Sequence, residues 1–207
     1  MNRMTTPAVT LRLARLVDVP LLNALIAESG IALSRGYYSD AQAEAMSRQV
    51  YGVDTQLIVD GTYYAIDVGS VDDRAIVACG GWSKRGTLFG GDHAKGHSQE
   101  RAHARLHASD EADPLLDPAT DAARIRAFFV SPLHARRGLG SRLMRHCASE
   151  AWGAGFRRLT LVSTLPGEPL YAAFGFTVDE RSELELNDGL RIPLANMSRE
   201  LTRPNLD

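Results

Sequence analysis

Chemistry is most concentrated where the chain reads Val130-Ser131-Pro132-Leu133-His134-Ala135-Arg136-Arg137-Gly138-Leu139-Gly140-Ser141. An apolar run comes before this passage and a helical pattern follows it. Glycines at 138 and 140 let the backbone turn tightly, and the free N–H groups of the next helix, with its positive dipole end, would face outward. Such a turn is an anion cradle, to which Arg136 and Arg137 add mobile positive charge. The same glycines would also serve simple tight packing, with the two arginines merely solvated. No Lys-Ser/Thr pair follows the second glycine, so this is not a nucleoside-triphosphate loop.

A second passage runs Thr164-Leu165-Pro166-Gly167-Glu168-Pro169-Leu170-Tyr171-Ala172-Ala173-Phe174-Gly175-Phe176. Its tyrosine could donate a positioned proton as a general acid, or could be an amphipathic core residue with a bonded hydroxyl. Arg124 and Arg126 either face an acidic acceptor or lie on the outer face of a sheet. His93, His97, His103 and His107 include pairs at i, i+4, but no carboxylate or cysteine completes a zinc site, and a solvated loop is the simpler reading. Trp82, after Cys79-Gly80-Gly81, reads as core or pocket wall. Cys79 and Cys147 show no metal or redox spacing and read as structural thiols.

The elements that would hold these groups follow from periodicity. Strands are expected at 9–14, 62–68, 75–82, 124–131 and 158–163, with a final antiparallel pair at 176–186 and 192–200. The second and third strands should form a hairpin. A first helix should start at Asp18 as cap, carry Leu21, Leu22, Leu25 and Ile26 inward and stop at Gly30. A second should start after Ser39-Asp40, bury Ala41, Ala45, Met46 and Val50, and end near Gly52. Helix 138–154 carries Leu139, Leu143, Cys147 and Ala151 on one face, and a short helix 169–174 closes at Gly175. Residues 85–120, rich in glycine, charge and histidine, read as a long surface excursion. The order is that of a mixed α/β sheet without internal repeats.

A chain of 207 residues with 44% apolar and 23% charged residues is expected to fold as one domain, 1–207. The formal net charge of −2 gives no general attraction to a polyanion, so nucleic acid is not an expected partner. No stretch has the length or apolarity of a signal peptide or a membrane span, and the expected location is cytoplasmic.

Taken together, the two passages resemble the GNAT superfamily of acyl-CoA-dependent N-acyltransferases, over residues 124–176 by motif and over nearly the whole chain by element order. The resemblance implies a single-domain α/β fold with a mixed, mostly antiparallel sheet, a splayed central strand pair and flanking helices. It implies acetyl-CoA as acyl donor, with Phe129, Val130 and Ser131 on the pantetheine. Backbone amides of the Arg136, Arg137, Gly138, Leu139, Gly140 and Ser141 turn would hold the pyrophosphate. Tyr171 would protonate the departing thiolate, and a backbone N–H, that of Val130, would polarise the thioester carbonyl. A neutral primary amine would attack directly, with no metal. Two positions depart from the family's pattern: Ala135 stands at its usual Arg or Gln, so Arg136 and Arg137 supply charge from shifted places, and Thr164 stands where relatives often carry asparagine. Glu168, Asp92 and the histidines are open candidates for the base. The acceptor is not identified, a homodimer is compatible with the resemblance, and a non-catalytic acyl-CoA sensor is the rival reading.

Overall fold

Seven strands share one sheet in the order β1-β2-β3-β4-β5-β7-β6 in a computed structural model that describes residues 8–69, 74–87, 90–92 and 113–203. Strands β1 (Ala8–Leu13), β2 (Tyr63–Gly69), β3 (Arg74–Ser83) and β4 (Ala123–Val130) pair antiparallel in succession, which includes the expected β2–β3 pairing. Strand β5 (Arg158–Thr164) runs parallel to β4, and the hairpin of β6 (Thr177–Glu185) and β7 (Arg191–Glu200) completes the far side through β7. The helices are α1 (Val19–Ala32), α2 (Asp40–Gln49), α3 (Thr55–Val59), α4 (Leu139–Gly153) and α5 (Glu168–Ala173).

Strand alternation divides the core in two. Tyr64, Ile66, Ala123 and Ile125 pack with Leu139, Leu143, Cys147 and Ala151 of α4, while Tyr63, Ala65 and Cys79 pack with Leu22, Leu25 and Ile26 of α1 and Leu57 of α3. A third cluster joins Met46 of α2 to Ile192 and Leu194 of β7. Helix α4 therefore matches its four-residue stripe, and Trp82 belongs to the core, edge-on to Phe156. Burial pushes the Cys79 thiol up to about 12, so it stays protonated, as a structural thiol would.

Several local expectations change. Helix α1 runs through Gly30 to Ala32, because the missing side chain makes room for the Tyr51 ring, which a Cβ there would meet at 2.5 Å. Leu21 is exposed, and Ala43 rather than Ala41 is buried on α2. Asp18 makes no side-chain cap: its carboxylate is taken by Arg12 at 2.6 Å and by the Arg15 amide at 2.8 Å. Ser39 does cap α2, in a reciprocal box with Gln42. The five-residue α3, capped by Asp54, was not foreseen. The expected excursion is rooted at both ends by Arg85, which pairs with Asp60 at 2.7 Å and donates to the Asp113 carbonyl at 2.8 Å. His93, His97, His103 and His107 lie outside the described residues.

Candidate active site

Strands β4 and β5 are paired at only two positions, Ala123 with Leu159 and Arg124 with Thr160. Beyond these they splay, and a cleft opens between them. The cleft is lined by Ile125 to Phe129 from β4, by Val162 and Thr164 from β5, and by Tyr171 and Gly167 beside them.

A bulge sits at the point of divergence. The β3–β4 register passes from Gly81 opposite Arg126 to Cys79 opposite Phe129, so Ala127 and Phe128 share the space of Gly80. Ala127 takes a positive φ of 54°, and its carbonyl accepts from the Tyr63 hydroxyl at 3.1 Å. Gly80 is required here: a Cβ would stand 2.6 Å from the Phe128 ring. The extra residue inverts the strand's alternation. Before it, Ile125 faces the α4 core; after it, Phe128 and Val130 do, while Phe129 turns to the α1 side against Tyr51.

The turn after β4 is a run of unusual backbone. Arg136 and Gly138 have φ of 63° and 80°, and such left-handed residues two apart leave successive N–H groups pointing into one concavity. No side chain caps α4. Its first turn closes with the Arg142 amide on the Gly138 carbonyl at 2.9 Å, leaving the amides of Leu139, Gly140 and Ser141 ahead of the helical ladder. Arg136, Arg137 and Gly138 are exposed, while Leu139 is buried as an anchor. Gly140 lies against α5 and β4, since a Cβ there would meet Leu170 at 3.2 Å and Val130 at 3.9 Å. The turn, the end of β4 and the Tyr171 helix are thus neighbours, as the spacing required.

Tyr171 is 9% exposed, with its ring among Phe128 and Phe176, and it lines the cleft. Burial pushes its phenol well above the ordinary range, so it is fully protonated near neutrality. Thr164 also lines the cleft, and its carbonyl receives the Ser163 hydroxyl at 2.7 Å and the Gly167 amide at 2.9 Å.

The opposite wall comes from distant segments. Met46, Val50, Tyr51 and Gly52 approach from α2 and the stretch after it, Leu194 from β7, and Gly90 and Gly91 from beyond β3. Gly91 donates to the Val50 carbonyl at 3.1 Å and Asp92 to that of Val53 at 2.9 Å; a Cβ on Gly91 would meet Gly52 backbone at 2.7 Å. Arg126 joins these pieces. Its guanidinium, almost wholly buried, reaches Asp54 at 2.8 Å and the Gly90 carbonyl at 2.7 Å. Arg126 therefore faces the cleft, not the outer surface.

Residues 60–176, more than half of the chain, match the model of the Acetyltransferase (GNAT) family. The chain belongs to the GNAT family of acetyltransferases. No curated protein matches it. Among solved structures, a GCN5-related N-acetyltransferase (aminotransferase, class-II) from Rhodopseudomonas palustris superposes with a TM-score of 0.60 at 18% identity, covering 97% of this chain and 99% of that one. Ard1 from Thermoplasma volcanium gives 0.54 at 16%, covering 94% and 99%. The PaiA N-acetyltransferase from Thermoplasma acidophilum, in complex with coenzyme A, gives 0.56 at 11%, covering 93% and 99%. At these identities the likeness is one of fold.

Within this GNAT fold one expectation, the Val130 amide as a free donor, needs correction. The Val130 amide is donated to the Ser29 hydroxyl of α1 at 3.2 Å, and the Ser131 amide to the Val77 carbonyl at 2.8 Å, so neither is a free donor. Ala127 and Phe128, by contrast, have no register partner on β3 or β5. Of the base candidates, Glu168 is held by Arg181 through contacts of 2.6 and 3.0 Å, and Asp92 receives the Thr55 amide at 3.2 Å; neither lines the cleft. The sequence reading passed over Tyr51, the Ala127 bulge and the Asp54 partner of Arg126. The one local signal was Gly80-Gly81 inside a strand pattern, which marks a bulge or a close backbone approach.

Proposed function

We propose that this GNAT protein is an N-acetyltransferase that moves the acetyl group of acetyl-CoA to a primary amine by direct attack, with Tyr171 as general acid. The observation that carries the reading is one continuous arrangement: the strand splay opens a cleft that has the uncapped start of α4 beside one end and a buried, protonated tyrosine in its wall. Main-chain amides of Gly138 to Ser141 hold the pyrophosphate, and Arg136 and Arg137 screen it from outside. Phe129 to Ser131 and Thr164 flank the pantetheine arm.

The amine nitrogen attacks the thioester carbonyl carbon. The amide of Phe128, a residue with no register partner on β3 or β5, polarises the carbonyl oxygen in place of Val130. As the tetrahedral species collapses, the C–S bond breaks and the sulfur takes the Tyr171 proton. Burial favours thiol over thiolate just as it favours phenol over phenolate, so the leaving group departs protonated. A water relay suffices to remove the amine's proton.

Calorimetry with acetyl-CoA, followed by a free-thiol assay over an amine panel, tests the reading. Binding that is weakened by Gly138→Asp, together with an acetylated product, is the expected outcome. No binding sinks the proposal, and strong binding with no product from any amine or peptide would instead favour a non-catalytic acyl-CoA sensor.

A further inference from the structure

Resting on the N-acetyltransferase reading, we infer that the acceptor is a compact amine with an apolar body and an oxygen that accepts a hydrogen bond from Arg126 Nε, and that polycationic amines are rejected. The acceptor wall is built from Met46, Val50, Tyr51, Phe129 and Leu194, and among the described residues that line the cleft none is Asp, Glu or His. A second ammonium entering this wall would lose its water and gain no counter-charge from the described lining. An apolar body would lose nothing.

Arg126 supplies the polar instruction. It is 4% exposed, and two of its nitrogens are committed, Nη1 to Asp54 and Nη2 to the Gly90 carbonyl. Its Nε is buried with no hydrogen-bond partner. A buried N–H left unpaired carries a desolvation penalty that a ligand oxygen would remove. The two existing contacts fix the guanidinium plane, so a ligand oxygen reaches this donor once the packing that covers it shifts, without the guanidinium itself having to turn. Asp54 already balances the charge, so either a carboxylate or a neutral carbonyl can supply the oxygen. Both sources share the chemistry of an accepting oxygen on a small amine.

Four amines separate the possibilities: leucine, leucinamide, 3-methylbutylamine and spermidine, compared by kcat/KM with acetyl-CoA saturating. Leucine, leucinamide or both should exceed 3-methylbutylamine by at least about tenfold, the worth of one hydrogen bond to a charged donor, and spermidine should be poorest. Leucine against leucinamide distinguishes carboxylate from carbonyl. Arg126→Lys keeps a cation for Asp54 but removes the Nε–H, so it should bring the oxygen-bearing amines down to 3-methylbutylamine while the acetyl-CoA Kd is unchanged. Equal use of leucinamide and 3-methylbutylamine, spermidine as best acceptor, or an undiminished preference in Arg126→Lys would each overturn the inference. So would acetyl-CoA binding with turnover of neither leucine compound. Failure of the wild-type protein to bind acetyl-CoA would strike the parent reading instead, so the two failures are distinguishable.

Discussion

The two ends of the cleft are built on different principles. The donor end is local: one turn and one helix start, with Arg136 and Gly138 in left-handed conformations and the following amides supplied by consecutive residues. The acceptor end is assembled from four separate segments spread along the chain, Met46 to Gly52, Gly90 and Gly91, Arg126 to Phe129, and Leu194, tied by the Arg126–Asp54 pair. A local site survives drift elsewhere in the fold. An assembled site changes whenever one contributing segment changes, which suits the part that chooses a substrate.

The sharpest way to break the comparison is to unbuckle the assembled end. Asp54→Ala leaves the Arg126 charge buried without its partner, and should cost about 3–5 kcal/mol in urea unfolding. A loss near zero would mean that the acceptor wall does not depend on the pair. Next in size is the shared centre. Tyr171→Phe keeps the ring packing with Phe128 and Phe176 but removes the proton, and should lower kcat by roughly 10²-fold or more with the acetyl-CoA Kd unchanged. Full turnover at every pH would end its role as general acid.

At the donor end, Gly138→Ala tests backbone alone. Nothing stands within 4 Å of a Cβ there, so the change introduces strain at φ 80° without a clash. Moving a side chain into the left-handed region costs about 1–2 kcal/mol. Acetyl-CoA binding should weaken by up to about tenfold while the order of preference among amines stays the same. A changed acceptor preference would show that the two ends are not separable.

The same contrast explains what the sequence revealed. The turn's glycines, α4 and the order of elements along the chain were legible because each depends on neighbours within a few residues: glycine where φ is positive, a four-residue apolar stripe, an alternating strand. Gly30 was misread as a stop because its reason is the Tyr51 ring, which arrives from beyond α2. Asp18 was misread as a cap because Arg12 takes its carboxylate. The bulge at Ala127 left no mark in its own strand, since alanine has no preference for positive φ; its trace is Gly80 on the neighbouring strand. Arg126 could be placed on β4 from the pattern, but its face could not, because its partner Asp54 caps a helix too short for periodicity to reveal.

The smallest effect concerns the root of the segment between β3 and β4. The Arg85 guanidinium, bonded to Asp60, holds that carboxyl below its ordinary value against the opposing effect of burial, with Gln56 adding a further bond. A carboxyl whose pKa is depressed by folding contributes stability that is fully present above the unfolded pKa, about 3.9, and is lost as pH falls through the folded value. The window therefore lies at and below about pH 4. Asp60→Asn should cost about 1 kcal/mol at pH 7, and its difference from the wild-type protein in urea midpoint should shrink as the pH is lowered through that window. The donor turn, from Arg136 to Ser141, contains no carboxylate and is indifferent to this titration. Acid should therefore loosen the anchorage of the acceptor wall at Gly90 and Gly91 before it touches the donor end. Acetyl-CoA affinity that declined in step with the Asp60 titration would show instead that the two ends are mechanically coupled.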